Sequence, residues 1–455
     1  MSAYSTILSR IGLHRRELRA WAMYDWALSA LQTTVMVAVF PIFFIKVAGA
    51  DVGDLAANQR LATSNSISVA IVAILSPVLG ALADYSAAKK RLLAVFMLFG
   101  AIACGGMFFI GHGDLLLASN LFILAGVAAA GSAVFYESLL PHIAREDEMD
   151  RVSTAGYALG YVGGGVLLAL NLAWIQKPEW FGLPAGPGLS PTAATLPVRL
   201  AMVSVAIWWV IFAIPLFRRV PEPVRALEPD ERGSENPVRM AFARLRETFQ
   251  ELRGYKQAFL MLVAFLIYND GISTMQRQAT AYGTELGIEQ GALIAAILIV
   301  QFVGIPCTFL FGMLAGRVGA KRSVLLGIGV FAGISILGYF MRTATHFFIL
   351  ATLVGMVQGG TQALSRSLFA SMIPRHKSGE FFGFYSAFNK FAGIFGPLLF
   401  AGVIGATGSS RSAILSIIIF FIVGAIILSF VNVEEGERVA RAAEEGVRAV
   451  EPVAA

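Results

Sequence analysis

GALADYSAAKKR, from Gly80 to Arg91, ends a long apolar run in one acid and three bases before the next apolar run begins. A degenerate copy, GMLAGRVGAKR, runs from Gly312 to Arg322, 232 residues further on. Each copy joins two hydrophobic stretches through a short basic turn. That spacing divides the 455 residues into two comparable halves, the pattern of an internally duplicated membrane protein.

The composition agrees. Apolar residues make up 57 % of the chain and charged residues 14 %, where a soluble domain carries about a quarter charged; the mean hydropathy is +0.71. The two cysteines, Cys104 and Cys307, lie in apolar runs, which argues against a disulfide framework. The five histidines show no HExxH or paired spacing, so no metal is expected. No GK dipeptide occurs, which excludes a Walker loop and ATP hydrolysis by that route. No nucleophile elbow or paired catalytic carboxylate is evident, so neither an enzyme nor a cofactor is expected.

An apolar helix of roughly 20 residues crosses the hydrocarbon core. On that length the sequence predicts an all-α membrane protein with twelve transmembrane helices, near 20–47, 62–84, 91–111, 115–140, 152–175, 197–217, 257–284, 290–315, 322–341, 346–372, 380–405 and 411–431. The expected parts are a cytoplasmic segment 1–19, a six-helix bundle 20–217, a linker 218–256, a second bundle 257–431 and a cytoplasmic tail 432–455. In the linker, Val238, Phe242, Leu245, Phe249 and Leu252 recur at helical spacing beside four arginines, which suits an amphipathic helix on the cytoplasmic leaflet or one packed on the protein. The tail is charged and alanine-rich, either a loose helix or disordered. With the N-terminus in the cytoplasm, 26 of the 35 Lys and Arg residues fall on cytoplasmic segments and six on the other side. Positive charge thus places both termini inside a bacterial plasma membrane. Because the basic residues follow topology rather than forming one patch, the net charge of +6 does not point to nucleic acid.

Ionisable groups inside spans cost roughly 2.5 to 3.5 kcal/mol each on insertion scales, so their positions are informative. They gather on every third helix. The first span carries Asp25 and Gln32, the fourth Tyr136 and Glu137, the seventh Asn269 and Asp270, and the tenth Gln358, Gln362 and Arg366. Asn389 and Lys390 add a polar pair to the eleventh, and these residues are the expected substrate contacts, with Asp25 or Asp270 suited to an ammonium and Arg366 or Lys390 to a carboxylate. Residues four or seven apart share a helix face, so Asp25 with Gln32, and Gln358 with Gln362 and Arg366, form stripes. Spans three, six, nine and twelve have no ionisable interior and are expected to face lipid, which leaves a polar cavity at the centre. Asp25 is expected to pair with Arg19, to cap a helix or to meet substrate, and Glu137 and Arg366 either to pair across the cytoplasmic side or to meet substrate. Asp270 is the expected proton carrier, with Glu137 in reserve. Asp84, Lys90, Arg91 and Gly383 are expected to gate, with Asp84 facing the start of span eleven, where Gly379 to Gly383 offers the positive end of a helix dipole.

These motifs carry a resemblance. GALADYSAAKKR resembles the loop signature of the major facilitator superfamily, with Ala87 where a small glycine is usual. WAMYDWALSA from Trp21, VFYESLLPHIA from Val134, LIYNDGISTM from Leu266, GGTQALSRSLFASMIP from Gly359 and GEFFGFYSAFNKFAGIFGPLLF from Gly379 are similar to the branch holding bacterial relatives of the fungal autophagy-linked vacuolar amino-acid effluxers. The resemblance implies two pseudo-symmetric six-helix bundles, a monomer, alternating access, and a path lined by helices one, four, seven and ten. It implies a small polar substrate, an amino acid or related metabolite, with efflux by analogy. A lipid or amphiphile translocator of the same fold is the alternative, and a non-transporting receptor a more distant one.

Overall fold

The computed structural model describes residues 8–86, 88–186, 188–223, 254–288, 290–391, 393 and 395–448. The amphipathic linker helix expected around 238–252 lies outside them. Eleven helices among the described residues are long and apolar enough to cross a membrane: Arg16–Ala48, Thr63–Asp84, Lys89–Phe109, Leu115–Ile143, Met149–Gln176, Leu196–Arg219, Lys256–Ala279, Ala295–Val318, Ala320–Tyr339, Ala344–Ser371 and Ser410–Phe430. Only a helix satisfies its own backbone hydrogen bonds within one segment, which is why apolar runs of this length take that form in lipid.

The eleventh span departs from the single helix expected over 380–405. It is broken into Ser378–Phe391 and Phe395–Thr407, with Gly393 at φ +157° in the break and Pro397 one turn beyond it. Proline has no N–H to return to the carbonyl four residues earlier and its ring crowds that carbonyl. The carbonyl is that of Gly393, and it accepts instead from Arg277 Nη1 at 3.3 Å. Counting this broken span, the described residues hold twelve candidate membrane spans. The first span is also irregular, with a π-helical stretch Gln32–Ala38 in its middle, where Thr33 Oγ1 donates back to the Ser29 and Ala30 carbonyls.

An even number of crossings brings both ends of the described chain to one face, called here the terminal face. The halves meet through span two on eleven, span five on eight and ten, and span four on eleven. Glycines set the closest approaches. A Cβ on Gly80 would strike the Gly379 carbonyl, one on Gly383 would lie 2.7 Å from Pro77 Cα, and one on Gly312 would strike Thr154. Small residues let helix backbones pack this tightly in a membrane. Gly80 and Gly312 open the two sequence copies, so the duplication is repeated in the packing. Spans three, six, nine and twelve turn apolar side chains outward, among them Ile102, Ile211, Leu326 and Ile422.

The tail takes the helical of its two expected forms, docked on the protein rather than loose. Val433–Arg448 is a helix whose Gly436 and Ala440 are buried. Arg375 donates its backbone N–H to Glu444 Oε1 at 2.9 Å, and Arg441 approaches Glu146 of the first half at 4.0 Å.

Candidate functional site

Arg366, on span ten, is 1 % exposed, and a guanidinium this deep must be paired and hydrogen-bonded. Its partners all come from the first half. Nη1 donates to Asp25 Oδ2 at 3.3 Å, Nε to Ser153 Oγ at 2.9 Å and Nη2 to the Ser153 carbonyl at 2.9 Å. Aromatic faces complete the enclosure, with the guanidinium carbon 4.4 Å from the Tyr157 ring centre and 4.9 Å from that of Trp21. Tyr136 donates its hydroxyl to the same Asp25 oxygen at 3.0 Å and stacks on Trp21 at 4.5 Å. Trp21 and Asp25 can both serve this site because they are four apart on one face. Gly156 allows the closeness, since a Cβ there would lie 2.9 Å from the Asp25 carboxylate and 3.2 Å from Arg366. The charge of Glu137 also acts on Arg366.

Asp25 therefore pairs with Arg366 and not with Arg19, one of the two partners expected. Positions six apart on a helix point about 120° from each other, which keeps Arg19 off this face. The Asp25 side chain retains 15 % of its exposure, so the pair borders open space. Gln32, two turns along the same face, is exposed.

A second, uncharged cluster joins spans seven, ten and eleven. Asn269 Nδ2 donates to Asn389 Oδ1 at 2.8 Å, and Gln362 Nε2 donates to Asn269 Oδ1 at 3.4 Å. Gln358 is half-buried one turn away, and Asn389 is exposed. Ser386, one turn before Asn389, touches Ser76 of the first half at 3.3 Å, so this face of span eleven looks into the seam. Polar side chains of both halves thus line the middle of the seam, and its terminal end is packed shut.

Asp270 stands beside this lining in sequence and elsewhere in space. Its Oδ2 accepts the Gly396 backbone N–H at 2.9 Å and its Oδ1 accepts from Thr274 at 3.4 Å. It thereby caps the helix that restarts after the break in span eleven, as a carboxylate at a helix N-terminus is placed to do. Lys390 belongs to the helix Ser378–Phe391; the expectation for its side chain lies outside the described residues.

At the terminal face, Asp84 Oδ2 accepts the Glu380 backbone N–H at 2.9 Å, in the first turn of the helix Ser378–Phe391. Asp84 Oδ1 pairs with Lys89 Nζ at 2.8 Å, and Lys89 continues across the seam to Ser378 Oγ at 2.6 Å. Lys90, named above as a gating residue, points away from the seam, its Nζ donating to the Val220 carbonyl at 2.5 Å and its backbone N–H to Glu222. Arg91 is exposed. Asp150 accepts from Ser367 Oγ at 2.5 Å, a further tie between the halves. Composition and spacing did not single out Lys89, Ser153, Tyr157 or Ser378. Only the basic run around Lys89 and the repeated serines of SRS (Ser365 and Ser367) flagged their neighbourhoods.

Residues 61–441 match the family model described as "Vacuole effluxer Atg22 like". A relative from Bacillus subtilis, the uncharacterized MFS-type transporter YxiO, is 36 % identical over 421 residues, covering 92 % of this chain and 95 % of the relative. Autophagy-related protein 22 of Yarrowia lipolytica is 25 % identical over 314 residues, which is 63 % of this chain and 51 % of that protein. Among solved structures, the major facilitator transporter FucP in its outward conformation superposes with a TM-score of 0.68 at 13 % identity, over 93 % of this chain and 99 % of FucP. The proton:xylose symporter XylE gives 0.66 at 14 % identity, over 92 % and 95 %. Twelve spans among the described residues, in two halves packed closely at Gly80 and at Gly312, are thus accompanied by sequence similarity along most of the chain, and the chain belongs to the Atg22-like family of major facilitator superfamily transporters.

Proposed function

We propose that this transporter moves a small zwitterion, an amino acid or a close relative, by alternating access. The observation that carries this reading is the Asp25–Arg366 pair, a buried cation and a carboxylate held from opposite halves. Opening the terminal face separates the two groups. Breaking a buried pair without replacement costs about 3 to 5 kcal/mol. A solute with both an ammonium and a carboxylate replaces both lost partners at once, the ammonium meeting Asp25 and the carboxylate meeting Arg366 bidentately. A solute with one charge replaces one partner only. The amides of Gln32, Asn269, Gln358, Gln362 and Asn389 would orient its uncharged part, and their polarity favours a hydrated solute over a lipid tail.

With the termini in the cytoplasm, as the distribution of Lys and Arg argues, the packed end is cytoplasmic and the polar seam looks outward. Efflux is the proposed direction by analogy alone, the family description naming efflux from a vacuole. Proton coupling at Asp270 is part of this proposal. Protonation would remove the charge that caps Phe395–Thr407 and so loosen the bend in span eleven. Glu137, close enough to Arg366 to influence it, is the reserve.

A thermal-stability screen of the purified protein tests the substrate class. Neutral amino acids should raise Tm, and the corresponding deaminated acids and decarboxylated amines should not. Arg366→Gln should lose the response. Equal stabilisation by a deaminated acid would overturn the zwitterion reading.

A further inference from the structure

Lys89 ties the terminal face shut with three acceptors: Asp84 Oδ1, Ser378 Oγ, and His142 Nε2 at 2.9 Å. An ammonium has three donors and no acceptor, so this set saturates it. Ser378 Oγ directs its own hydrogen to the Ser138 carbonyl at 3.0 Å and therefore receives from Lys89. His142 Nε2, 3.0 Å from the same hydroxyl, must then present a lone pair to Lys89. Only the neutral ring with its hydrogen on Nδ1 can do so, and the ring also hydrogen-bonds the Arg375 backbone.

The network crosses the seam, since His142, Lys89, Asp84 and Ser138 belong to the first half and Ser378 and Arg375 to the second. The charges around the ring are known. Lys89 and Arg375 place positive charge beside it, and His376 is a titratable neighbour. Asp84 pairs with Lys89 at 2.8 Å, Glu380 follows from the helix that Asp84 caps, and Glu444 balances Arg375 at 3.8 Å. A second proton on His142 would face N–H against N–H and add a like charge beside Lys89.

We infer that His142 is the proton-sensing residue of the terminal-face gate: neutral, it accepts Lys89 and the gate stays shut; protonated, it repels Lys89 and the halves part. The sign follows from the geometry, with closure favoured at higher pH on that face and lost as pH falls. The inference rests on the alternating-access reading and is independent of the solute. It assigns a group that the substrate site does not use.

The test is a pulsed spin-label distance between Arg145→Cys and Arg317→Cys, both exposed and on opposite halves, in a background with Cys104 and Cys307 replaced by Ala. One linked proton changes the open-to-closed ratio by at most about tenfold per pH unit. Lowering the pH from about 7.5 to about 5.5, across the ordinary histidine pKa of about 6.5, should raise that ratio by up to about tenfold in the otherwise unaltered chain. His142→Gln, which keeps an acceptor and cannot be protonated in this range, should stay closed throughout. His142→Asn is read in the same way should the glutamine variant not fold. A distance insensitive to pH, or a glutamine variant that shifts as the parent does, would overturn the inference. Gly80→Ala, which opens the seam sterically, separates the two readings. If it opens while pH does nothing, His142 is not the sensor; if neither opens the face, alternating access falls as well.

Discussion

Gly80→Ala is the sharpest test of the closed seam. The added methyl would meet the Gly379 carbonyl, with the Glu380 backbone nitrogen 3.1 Å away, and backbone cannot swing aside as a side chain can. Overpacking of this kind costs about 1 to 3 kcal/mol. The cost applies only while the halves are together, because Gly379 belongs to the other half. Alanine's better helix propensity, about 1 kcal/mol over glycine, acts equally in both states and cancels from their ratio. At about 1.4 kcal/mol per factor of ten, the open fraction should rise between about fivefold and about a hundredfold. The readout is the rate at which maleimide alkylates a cysteine replacing Ser138, which is buried at the seam. Gly165→Ala is the control, since a Cβ there meets nothing within 4 Å, and it should leave the rate unchanged. If Gly80→Ala alkylated no faster than the parent, or Gly165→Ala accelerated it equally, the contact between Gly80 and Gly379 would not be what closes this face.

Asp84→Asn removes the charge that anchors Lys89 and caps span eleven, and should also raise Ser138→Cys alkylation while leaving the fold intact; an unchanged rate would reduce Asp84 to a topology and capping residue. Burial holds the Glu437 carboxyl above its ordinary range, against the lowering effect of the Ser371 hydroxyl. Docking of the tail helix should therefore be firmest at low pH and weaken as pH rises through that raised value, with Glu437→Gln flattening the response. Spin-label mobility at Glu445→Cys between about pH 4 and about pH 7 reads this directly, and mobility that fell with rising pH would contradict it. Asp270→Asn should weaken the cap on Phe395–Thr407 by about 1 kcal/mol and abolish transport driven by a pH gradient while sparing solute exchange; gradient-independent transport in both parent and variant would remove proton coupling at this site.

Much of the architecture was legible from the chain because the bilayer enforces it. Span length, the basic turns and the polar stripes on every third helix each answer to one physical constraint, and Asp84 could be aimed at span eleven because a lone acid at a helix end seeks amide donors. The details that escaped depend on contacts remote in sequence. Lys89 and Lys90 are adjacent and chemically equal, and only the placement of Ser378 and Val220 sends one across the seam and the other away from it. Asp25 and Arg366 were each visible as costly buried charges, but 341 positions separate them, and no local period says that they meet. Pro397 did announce the break in span eleven, yet the continuous apolar run FAGIFGPLLF disguised it. The tail helix had a signal too, in the spacing of Val433, Gly436 and Ala440, which was outweighed by its charge.

Solute exchange in proteoliposomes bears most directly on the pairing of substrate with Asp25 and Arg366. Vesicles loaded with an unlabelled neutral amino acid should accumulate the labelled form from outside. Arg366→Gln and Asp25→Asn should each abolish this, and neither the deaminated acid nor the decarboxylated amine should substitute inside the vesicle. Exchange at the parental rate by Arg366→Gln, or equal exchange against the deaminated acid, would contradict a site built to receive both charges of a zwitterion.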